Sequence, residues 1–428
     1  MKRLNDLRPP SPPRRLDPRR LRSDLRRIDF RSPRVIGVAL VAAIALGVTA
    51  AMIASQGGVV GSSSASGQGG RKGAAKVSQV RLTTKPANRA DAVPLDARVR
   101  VDASNGHLSD VQVTLASGKA LAGSLTSDGQ TWRSTGPLAP GTRYRVTVLA
   151  ADEAGTSTRQ VSSFTTLIPS RVLGTSIMPL DGQTVGVGMP IAVWFNHPVA
   201  DRAAVERRLV VRTSSGLEGA WHWFGDREVH FRPQKFWPAG EQVMLGVGLA
   251  GVRVAPGTWG VANRTIRFRI GDSHVSTVSA KSHTMKVTVN DKVVKTFPVS
   301  TGRDKYPTTN GVHFVVSKEQ DELMDSSTVG IPRNSPDGYY EHVFWSVRIS
   351  NSGEFVHAAP WSVGSQGRAN VSHGCVNMST QDAQWFFKLA RPGDVVTVTG
   401  SPKKPNSWTL GVADWNISWS RWREGSAL

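Results

Sequence analysis

A single cysteine is the residue of this chain best suited to covalent chemistry. Cys375 is the only cysteine among 428 residues, and it lies in the run SHGCVN that begins at Ser372. An apolar segment of membrane-spanning length far upstream indicates that Cys375 faces the outside of the cell. Exported proteins usually carry cysteines as disulfide pairs, which one cysteine cannot form within its own chain. Free cysteines are often small buried hydrophobes, but the neighbouring histidine and glycine favour a reactive nucleophile.

Two histidines are candidates for the base that such a thiol needs. His373 lies two residues before Cys375, so both side chains would point to one face if this segment were extended. His357, in the run FVHAAPW, would have to be brought to the cysteine by the fold. Gly374 leaves room for a substrate backbone and lets its N–H point into a pocket. The other eight histidines have no such company, and we assign them no role.

A zinc site is the alternative use of two histidines and a cysteine. The sequence has no second cysteine and no HExxH run, and acidic residues are few around Cys375. Structural and catalytic zinc sites need three or four ligands of these types. We therefore expect neither a metal nor a cofactor.

Short strands and one helix surround these residues. Residues 285–289 and 292–295 alternate in polarity about Asn290-Asp291, which predicts a hairpin. A helix is predicted over residues 379–389, with Ser379 as its N-cap and Asp382 at the third helical position. Its apolar face is more typical of core packing than of a ligand site. Further strands are predicted over residues 311–316, 343–349 and 395–398.

Two β-rich modules precede this region, and we place them at residues 77–169 and 170–273. The first shows period-2 patterning with frequent turn residues, which is typical of an antiparallel β-sandwich. Its clearest predicted strands are residues 97–101, 111–115 and 144–149.

The second module repeats that style. It contains a predicted strand at 191–195, a hairpin near Gly225 and a short helix at 201–208 capped by Asp201. The alternating arginines of residues 265–270 are expected to face solvent.

The N-terminal residues predict a membrane anchor. Residues 35–55 contain about twenty residues without a charge, enough to cross the hydrocarbon core as a helix. Residues 1–34 hold twelve Lys and Arg against four Asp, so this tail is expected in the cytoplasm and the bulk of the chain outside. A cleaved signal peptide is the alternative, but its apolar core is normally shorter. Residues 56–76 are rich in Gly and Ser and predict a flexible linker.

The whole chain is strongly basic, with a formal net charge of +21. A basic chain raises the possibility of nucleic-acid binding. No zinc-finger spacing, helix-turn-helix signature or RNP-like strand supports it, so we expect no nucleic-acid partner. A charged envelope polymer or an anionic lipid surface accounts for the same charge in an exported protein.

The motifs around Cys375 and His357 resemble the active-site signature of the L,D-transpeptidases with a YkuD-type catalytic domain. The runs HAAPW from His357 and SHGCVN from Ser372 carry this resemblance, and residues 324–328 and 334–339 resemble the family's lid loop. The mycobacterial-type members are the most similar. The resemblance implies a mainly β fold: two immunoglobulin-like sandwiches, a catalytic domain at 274–401 and a tryptophan-rich segment at 402–428, after the membrane helix.

The resemblance also implies roles for individual residues. Cys375 would be the nucleophile, His357 its base, oriented by the carbonyl of residue 358, and His373 a supporting residue. The backbone N–H groups of Gly374 and Cys375 would form the oxyanion hole. Residues expected to line the substrate cleft are Met324, Tyr339, Ala358, Trp361, Ser372 and Asn377. The chain departs from the related enzymes at Ala358, where they have serine, and at Val329, where they have tyrosine.

The implied reaction is a pair of acyl transfers on peptidoglycan stem peptides. A tetrapeptide stem containing diaminopimelate would acylate Cys375 with loss of D-alanine, and a neighbouring stem's amine would then form a 3→3 cross-link. Carbapenem β-lactams would acylate the same cysteine. A cysteine L,D-carboxypeptidase, or an enzyme that attaches or detaches a wall protein, uses the same thioester. A wall-binding module with an inactive site is the third hypothesis, and the intact Cys/His set argues against it.

The last segment contains four tryptophans, Trp408, Trp415, Trp419 and Trp422. Aromatic rings can stack on sugars, but they also bury large areas when they pack within a protein. We expect these rings to pack against the preceding domains.

Overall fold

The computed structural model describes residues 77–405 and 413–428. The predicted cytoplasmic tail, membrane helix and Gly/Ser linker lie outside these residues, as does Trp408. Within the described part of the chain, no helix combines the length and hydropathy needed to span a membrane.

The first β-sandwich is built from seven strands. They are β1 (Arg81–Lys85), β2 (Arg100–Ser104), β3 (His107–Leu115), β4 (Gly123–Leu125), β5 (Thr131–Ser134), β6 (Arg143–Ala151) and β7 (Ser157–Thr165). One sheet has the order β1-β2-β5-β4 and the other β3-β6-β7. Alternate residues of both sheets point inward, so that Val101 and Trp132 meet Val146 and Phe164 in one core. The predicted strand at 97–101 was placed too early, because Val99 is held by loop contacts to Ser134 and the ladder begins at β2.

The second sandwich holds the next eleven strands and a short helix. They are β8 (Arg171–Val172), β9 (Thr175–Met178), β10 (Thr184–Val185), β11 (Ile191–Phe195), α1 (Arg202–Glu206), β12 (Leu209–Thr213), β13 (Gly219–Trp223), β14 (Glu228–Pro233), β15 (Gln242–Gly248), β16 (Arg253–Ala255), β17 (Thr258–Trp259) and β18 (Asn263–Ile270). Its sheets have the orders β10-β18-β15-β12, β13-β14-β11-β9 and β16-β17-β8.

The local predictions for this module are confirmed. Asp201 caps α1 through a hydrogen bond from the Ala204 N–H. Strands β13 and β14 form the hairpin around Gly225. On β18, Arg267 and Arg269 are exposed while Phe268 is buried.

The third module carries Cys375 and His357. Its elements are β19 (His274–Ser279), β20 (Thr284–Val289), β21 (Lys292–Pro298), β22 (Gly311–Phe314), β23 (Ser317–Asp325), β24 (Tyr340–Arg348), β25 (Phe355–Ala358), β26 (Val376–Met378), α2 (Thr380–Leu389) and β27 (Val395–Thr399), with 3₁₀ turns at Ser326–Val329 and Pro360–Ser362. One sheet has the order β21-β20-β19-β27-β22 and the other β23-β24-β25-β26. Their apolar faces and α2 share one core, which fixes the strands that hold the site.

The predicted hairpin and helix of this module are confirmed. Strands β20 and β21 pair about Asn290 and Asp291, which both have positive φ, as a two-residue type I′ turn requires. Ser379 caps α2 by accepting a hydrogen bond from the Asp382 N–H at 3.2 Å.

The second sandwich meets the third module through closely approaching backbones. The N–H of Gly186 donates to Pro392 O at 2.8 Å, and that of Gly188 donates to Gly393 O at 2.7 Å. A Cβ at Gly186 would lie 2.2 Å from the backbone nitrogen of Asp394, so only glycine fits there. Beside this contact, buried His274 and Asp394 are joined by a hydrogen bond of 2.9 Å.

The C-terminal residues form two short helices, α3 (Ala413–Asn416) and α4 (Trp419–Glu424). The expected packing of the tryptophans is confirmed for the three that the structure describes. Trp415, Trp419 and Trp422 all lie within 5.3 Å of the Arg232 guanidinium on β14, measured to their ring centroids. The side chain of Asn416 bonds both backbone groups of Val312 on β22. The segment therefore contacts the second sandwich and the third module at once.

Candidate active site

A cavity of about 360 Å³ opens beside Cys375. It brings together most of the residues that the sequence singled out. It is lined by Met324, Tyr339, Glu341, His357, Trp361, Ser362, Ser365, Val371, Ser372, His373, Cys375 and Asn377. Glu341, Ser362, Ser365 and Val371 were not anticipated, because nothing in their local sequence distinguishes them from ordinary strand and turn residues.

Two neighbouring parallel strands place the cysteine and the histidine together. Strand β25 pairs with β26 so that His357 is opposite Asn377. Strand β26 begins at Val376, directly after Cys375, and Cys375 and His357 line the same cavity. The sheet therefore delivers both side chains to one cavity, although 18 positions separate them in the sequence.

His357 is oriented by its own strand. Its Nδ1–H donates to the carbonyl oxygen of Ala358 at 2.8 Å, which leaves Nε2 unprotonated and available as a base. Burial lowers the pKa of His357 to about 4, against the smaller opposing effect of the Ala358 carbonyl. Ala358 does not line the cleft as predicted. Its side chain packs in the core between the two sheets, and its carbonyl is the group that acts on the site.

The thiol of Cys375 is protonated in this arrangement. Burial raises its pKa to about 12, although a backbone hydrogen bond from Phe355 favours the thiolate. The Sγ–H donates to Gly353 O at 3.8 Å. At neutral pH the site therefore holds a neutral thiol and a neutral imidazole, and a proton must move before sulfur can attack.

These two pKa shifts predict slow chemistry of the free thiol near neutral pH. We expect the alkylation rate of Cys375 by iodoacetamide to rise about tenfold per pH unit from pH 6 to 10, because the thiolate fraction follows pH below the pKa. Intact-mass spectrometry gives these rates, with glutathione as the reference thiol that levels off above its own pKa. A plateau near pH 7 would instead show a preformed thiolate–imidazolium pair.

His373 is held by groups that the sequence did not reveal. Its Nε2 accepts a hydrogen bond from Arg303 at 2.7 Å, so Nδ1 carries the proton. Burial and the charge of Arg303 lower the pKa of His373. Its ring lies between those of Tyr306 and Tyr339, at centroid distances of 5.1 and 5.2 Å. The segment 371–375 bends at Gly374 and is not extended. The position of His373 is therefore set by its contacts with Arg303, Tyr306 and Tyr339, and not by the strand alternation that the sequence suggested.

The same arginine ties the lid loop to the body of the module. Asp337 accepts hydrogen bonds from Arg303 at 2.5 Å, Lys305 at 2.5 Å and the Tyr306 hydroxyl at 3.0 Å. These cations and the hydroxyl lower the pKa of Asp337. Arg303 therefore joins the lid to His373. Its only sequence signal is a basic residue after a Thr-Gly turn, which is too common to be informative.

The lid is the end of the β23–β24 hairpin. The N–H of Ser326 donates to Tyr339 O at 3.0 Å, and the Ser326 hydroxyl accepts from the Tyr339 N–H at 3.1 Å. This closure holds Met324 and Tyr339 at the cavity wall. Val329 is 41% exposed and lines a second cavity of about 500 Å³, which shares Tyr339 and His373 with the first.

The turn before Cys375 is organised by Ser372. Gly374 has φ +126°, a conformation that side chains other than glycine rarely adopt. Its N–H donates to the Ser372 hydroxyl at 3.0 Å, and that hydroxyl donates to Cys375 O at 2.6 Å. The N–H of Gly374 therefore has a hydrogen-bond partner in Ser372, and its place in the oxyanion hole stays a prediction. The N–H of Cys375 is the other predicted donor.

Asn377 and Trp361 complete the cavity. Asn377 is buried and donates from Nδ2 to the Ser362 hydroxyl at 3.1 Å, which fixes the 3₁₀ turn carrying Trp361. Trp361 is 58% exposed, with its ring 6.2 Å from that of His357. It presents an open aromatic surface at the rim. Across the described ranges, no group of three His, Cys, Asp or Glu side chains is placed to hold a metal.

Comparison with known proteins agrees with this geometry. Residues 90–253 match a bacterial Ig domain model, and residues 273–398 match the L,D-transpeptidase catalytic domain model. The fold and the matched models thus define an L,D-transpeptidase catalytic domain preceded by Ig-like sandwiches. The chain belongs to the L,D-transpeptidase family.

Two curated relatives come from Mycobacterium tuberculosis. L,D-transpeptidase 2 of strain CDC 1551 / Oshkosh is 41% identical over 347 residues, covering 81% of this chain and 85% of the relative. L,D-transpeptidase 5 of strain ATCC 25618 / H37Rv is 36% identical over 358 residues, covering 81% and 77%. A solved structure of M. tuberculosis L,D-transpeptidase 3 with a faropenem-derived adduct is 36% identical, covers 53% of this chain and 97% of that chain, and has a TM-score of 0.45.

Proposed function

We propose that this protein forms 3→3 peptidoglycan cross-links through a thioester on Cys375. The observation that carries the proposal is the cavity shared by Cys375 and His357, with the imidazole oriented by the Ala358 carbonyl. Membership of the L,D-transpeptidase family supports the substrate class.

The first half-reaction acylates the cysteine. The thiol turns from Gly353 O towards His357, and its proton passes to Nε2 as sulfur attacks the carbonyl of diaminopimelate at the third stem position. His357 then gives this proton to the departing amine of D-alanine, leaving a thioester on Cys375.

The second half-reaction transfers the acyl group to an amine. The side-chain amine of a neighbouring diaminopimelate attacks the thioester, and His357 accepts its proton. The thiol recovers a proton as it leaves, so no external energy source is needed. The oxyanion of each step is stabilised by the N–H of Cys375, joined by that of Gly374 once Ser372 releases it.

His373 supports the reaction without exchanging a proton with substrate. Its neutral ring, fixed by Arg303 and flanked by Tyr339, forms the wall between the two cavities. Met324, Trp361, Ser372 and Asn377 are proposed to contact the donor stem. Carbapenems are proposed to acylate Cys375 in the same cavity, since their strained carbonyl presents the same electrophile.

The site is proposed to act on the outer side of the cell membrane. The support is the uncharged run of residues 35–55 with its basic flank, followed by the Gly/Ser-rich residues 56–76. In this arrangement the two sandwiches, proposed at residues 77–169 and 170–273, would hold the catalytic module of residues 274–401 within the wall.

Mass spectrometry of the reaction with a disaccharide-tetrapeptide tests the proposed function. We expect full-length protein to yield a dimer that has lost one D-alanine, and a Cys375→Ala variant to yield no product. Formation of tripeptide without dimer would show that the protein catalyses the carboxypeptidase reaction instead of cross-linking. Absence of both products, together with absence of a meropenem adduct on Cys375, would exclude acyl transfer at this site.

A further inference from the structure

The first sandwich carries a groove far from Cys375 in the fold. Its cavity of roughly 600 Å³ lies on the outer face of strands β6 and β7. Three arginines line it, Arg89, Arg143 and Arg145, and no acidic residue is among the lining residues. Val161, 41% exposed, adds an apolar surface beside them.

The groove is built around Ser163. Arg145 is its register partner on β6, and the Arg143 Nη2 donates to its hydroxyl at 3.5 Å. The N–H of Arg89 donates to Ser163 O at 2.6 Å, while the Asn88 side-chain oxygen accepts from the Ser163 N–H at 3.0 Å. Asn88 and Arg89 therefore dock against β7 and form one wall of the groove.

Within the described residues, no carboxylate pairs with the arginines that line this groove. Among residues 77–405 and 413–428, the ion pairs of arginine involve other residues, so Arg89, Arg143 and Arg145 have no carboxylate partner. Arg89 has φ +65°, a strained conformation for a residue with a side chain. Guanidinium groups that line one groove give it a positive potential, which attracts anions.

We propose that this groove binds a polysaccharide chain bearing carboxylate or phosphate groups. Arg143 and Arg145 project from alternate positions of one strand, about 7 Å apart along it, and suit oxyanions repeated along an extended polymer. The guanidinium fork pairs with both carboxylate and phosphate. Val161 offers an apolar contact for the sugar rings. Binding here needs no acyl transfer, so the inference stands apart from the proposed function.

Co-sedimentation and interferometry of the full-length protein test this proposal. The carboxylate probe is peptidoglycan sacculi freed of phosphate polymers by hydrofluoric acid. The phosphate probe is phosphomannan, with neutral mannan as the blank. The test variant is Arg143→Gln/Arg145→Gln. The matched control is Arg267→Gln/Arg269→Gln, which removes the same charge from exposed positions on β18.

We expect the test variant to bind at least about tenfold more weakly than wild type, as when charge-assisted hydrogen bonds are lost. The control variant should stay within twofold of wild type, a change of at most roughly 0.4 kcal/mol. A loss in the test variant confined to sacculi identifies carboxylates as the ligand of the groove, a loss confined to phosphomannan identifies phosphates, and losses on both probes support their shared chemistry. The proposal is overturned by binding to neither probe, or by equal losses in the two variants, which would reflect net charge alone. Equal circular dichroism of the two variants excludes misfolding.

Discussion

Replacing His357 with glutamine is expected to slow acylation of Cys375 by about 10²–10⁴-fold, the usual contribution of a general base. The physical reason is the protonated thiol, whose pKa is raised to about 12 by burial. Glutamine keeps a polar side chain of similar reach but accepts no proton. Stopped-flow acylation by meropenem, followed by the loss of its absorbance, measures the effect.

The pH profile of the wild-type enzyme follows from the same residue. Because burial lowers the pKa of His357 to about 4, the imidazole stays neutral from pH 7 down to that value, and acylation should fall only below about pH 5. The unfolded chain binds this proton near the ordinary pKa of about 6.5, so stability declines as pH falls from about 6.5 to about 4, and this decline begins before the loss of acylation. Far-UV circular dichroism at each pH separates the loss of base from unfolding.

The exposed residue His342 on β24 supplies the matched control. It is 62% exposed at its side chain and pairs with Asp321 outside the cavity. A His342→Gln variant loses an imidazole without touching the thiol, and its acylation rate should match wild type. A His357→Gln variant that also acylates at the wild-type rate would show that another group removes the proton.

The sequence was most informative where local rules decide the structure. Period-2 patterning and the Asn290-Asp291 turn predicted the β20–β21 hairpin, and Ser379 predicted the start of α2. Cys375 was picked out as the single cysteine of the chain, and His357 and His373 as candidate bases, with the role of base given to His357 by the family resemblance. Each of these features is encoded within a few consecutive residues.

The parts that were missed depend on contacts between distant segments. Arg303 reaches His373 across 70 positions, and no local pattern announces such a pair. The N–H of Gly374 was predicted to serve the oxyanion hole, and its hydrogen bond to the hydroxyl of Ser372 was not anticipated. Ala358 was expected in the cleft because it lies in the active-site motif. The motif does not reveal which face of β25 the side chain occupies, and that face is the core.

The other missed cluster lies under the C-terminal segment. His230 on β14 bonds Asp414 at 2.7 Å and Glu228 at 2.9 Å, and these carboxylates raise the pKa of this buried histidine to about 9 despite desolvation. The neighbouring Arg232 donates to the carbonyls of Asp414 and Ile417. The tryptophans of the sequence suggested packing, but the buried Arg232 that Trp415, Trp419 and Trp422 cover was not apparent.

Trp422→Ala is expected to destabilise the docked C-terminal segment by about 3–5 kcal/mol, the range for removing a large buried aromatic ring. Trp422 is fully buried, its Nε1 donates to Ala220 O at 2.8 Å, and its ring lies 4.4 Å from the Arg232 guanidinium. Loss of the ring leaves a cavity and removes one of the aromatic contacts of the buried Arg232 guanidinium. Hydrogen exchange of residues 413–428, followed by mass spectrometry, measures the opening.

The exposed neighbour Arg421 provides the control on the same helix. An Arg421→Ala change should alter stability by less than about 0.5 kcal/mol, as surface substitutions usually do. Because Asn416 bonds Val312 at the edge of the catalytic module, undocking in Trp422→Ala should also raise exchange in β22. Fast exchange confined to α4 would show that α4 opens independently of the catalytic module. Unchanged exchange throughout would show that Trp422 does not hold the segment. Coupled exchange in α4 and β22 is the expected result, since one short segment is hydrogen-bonded to both domains.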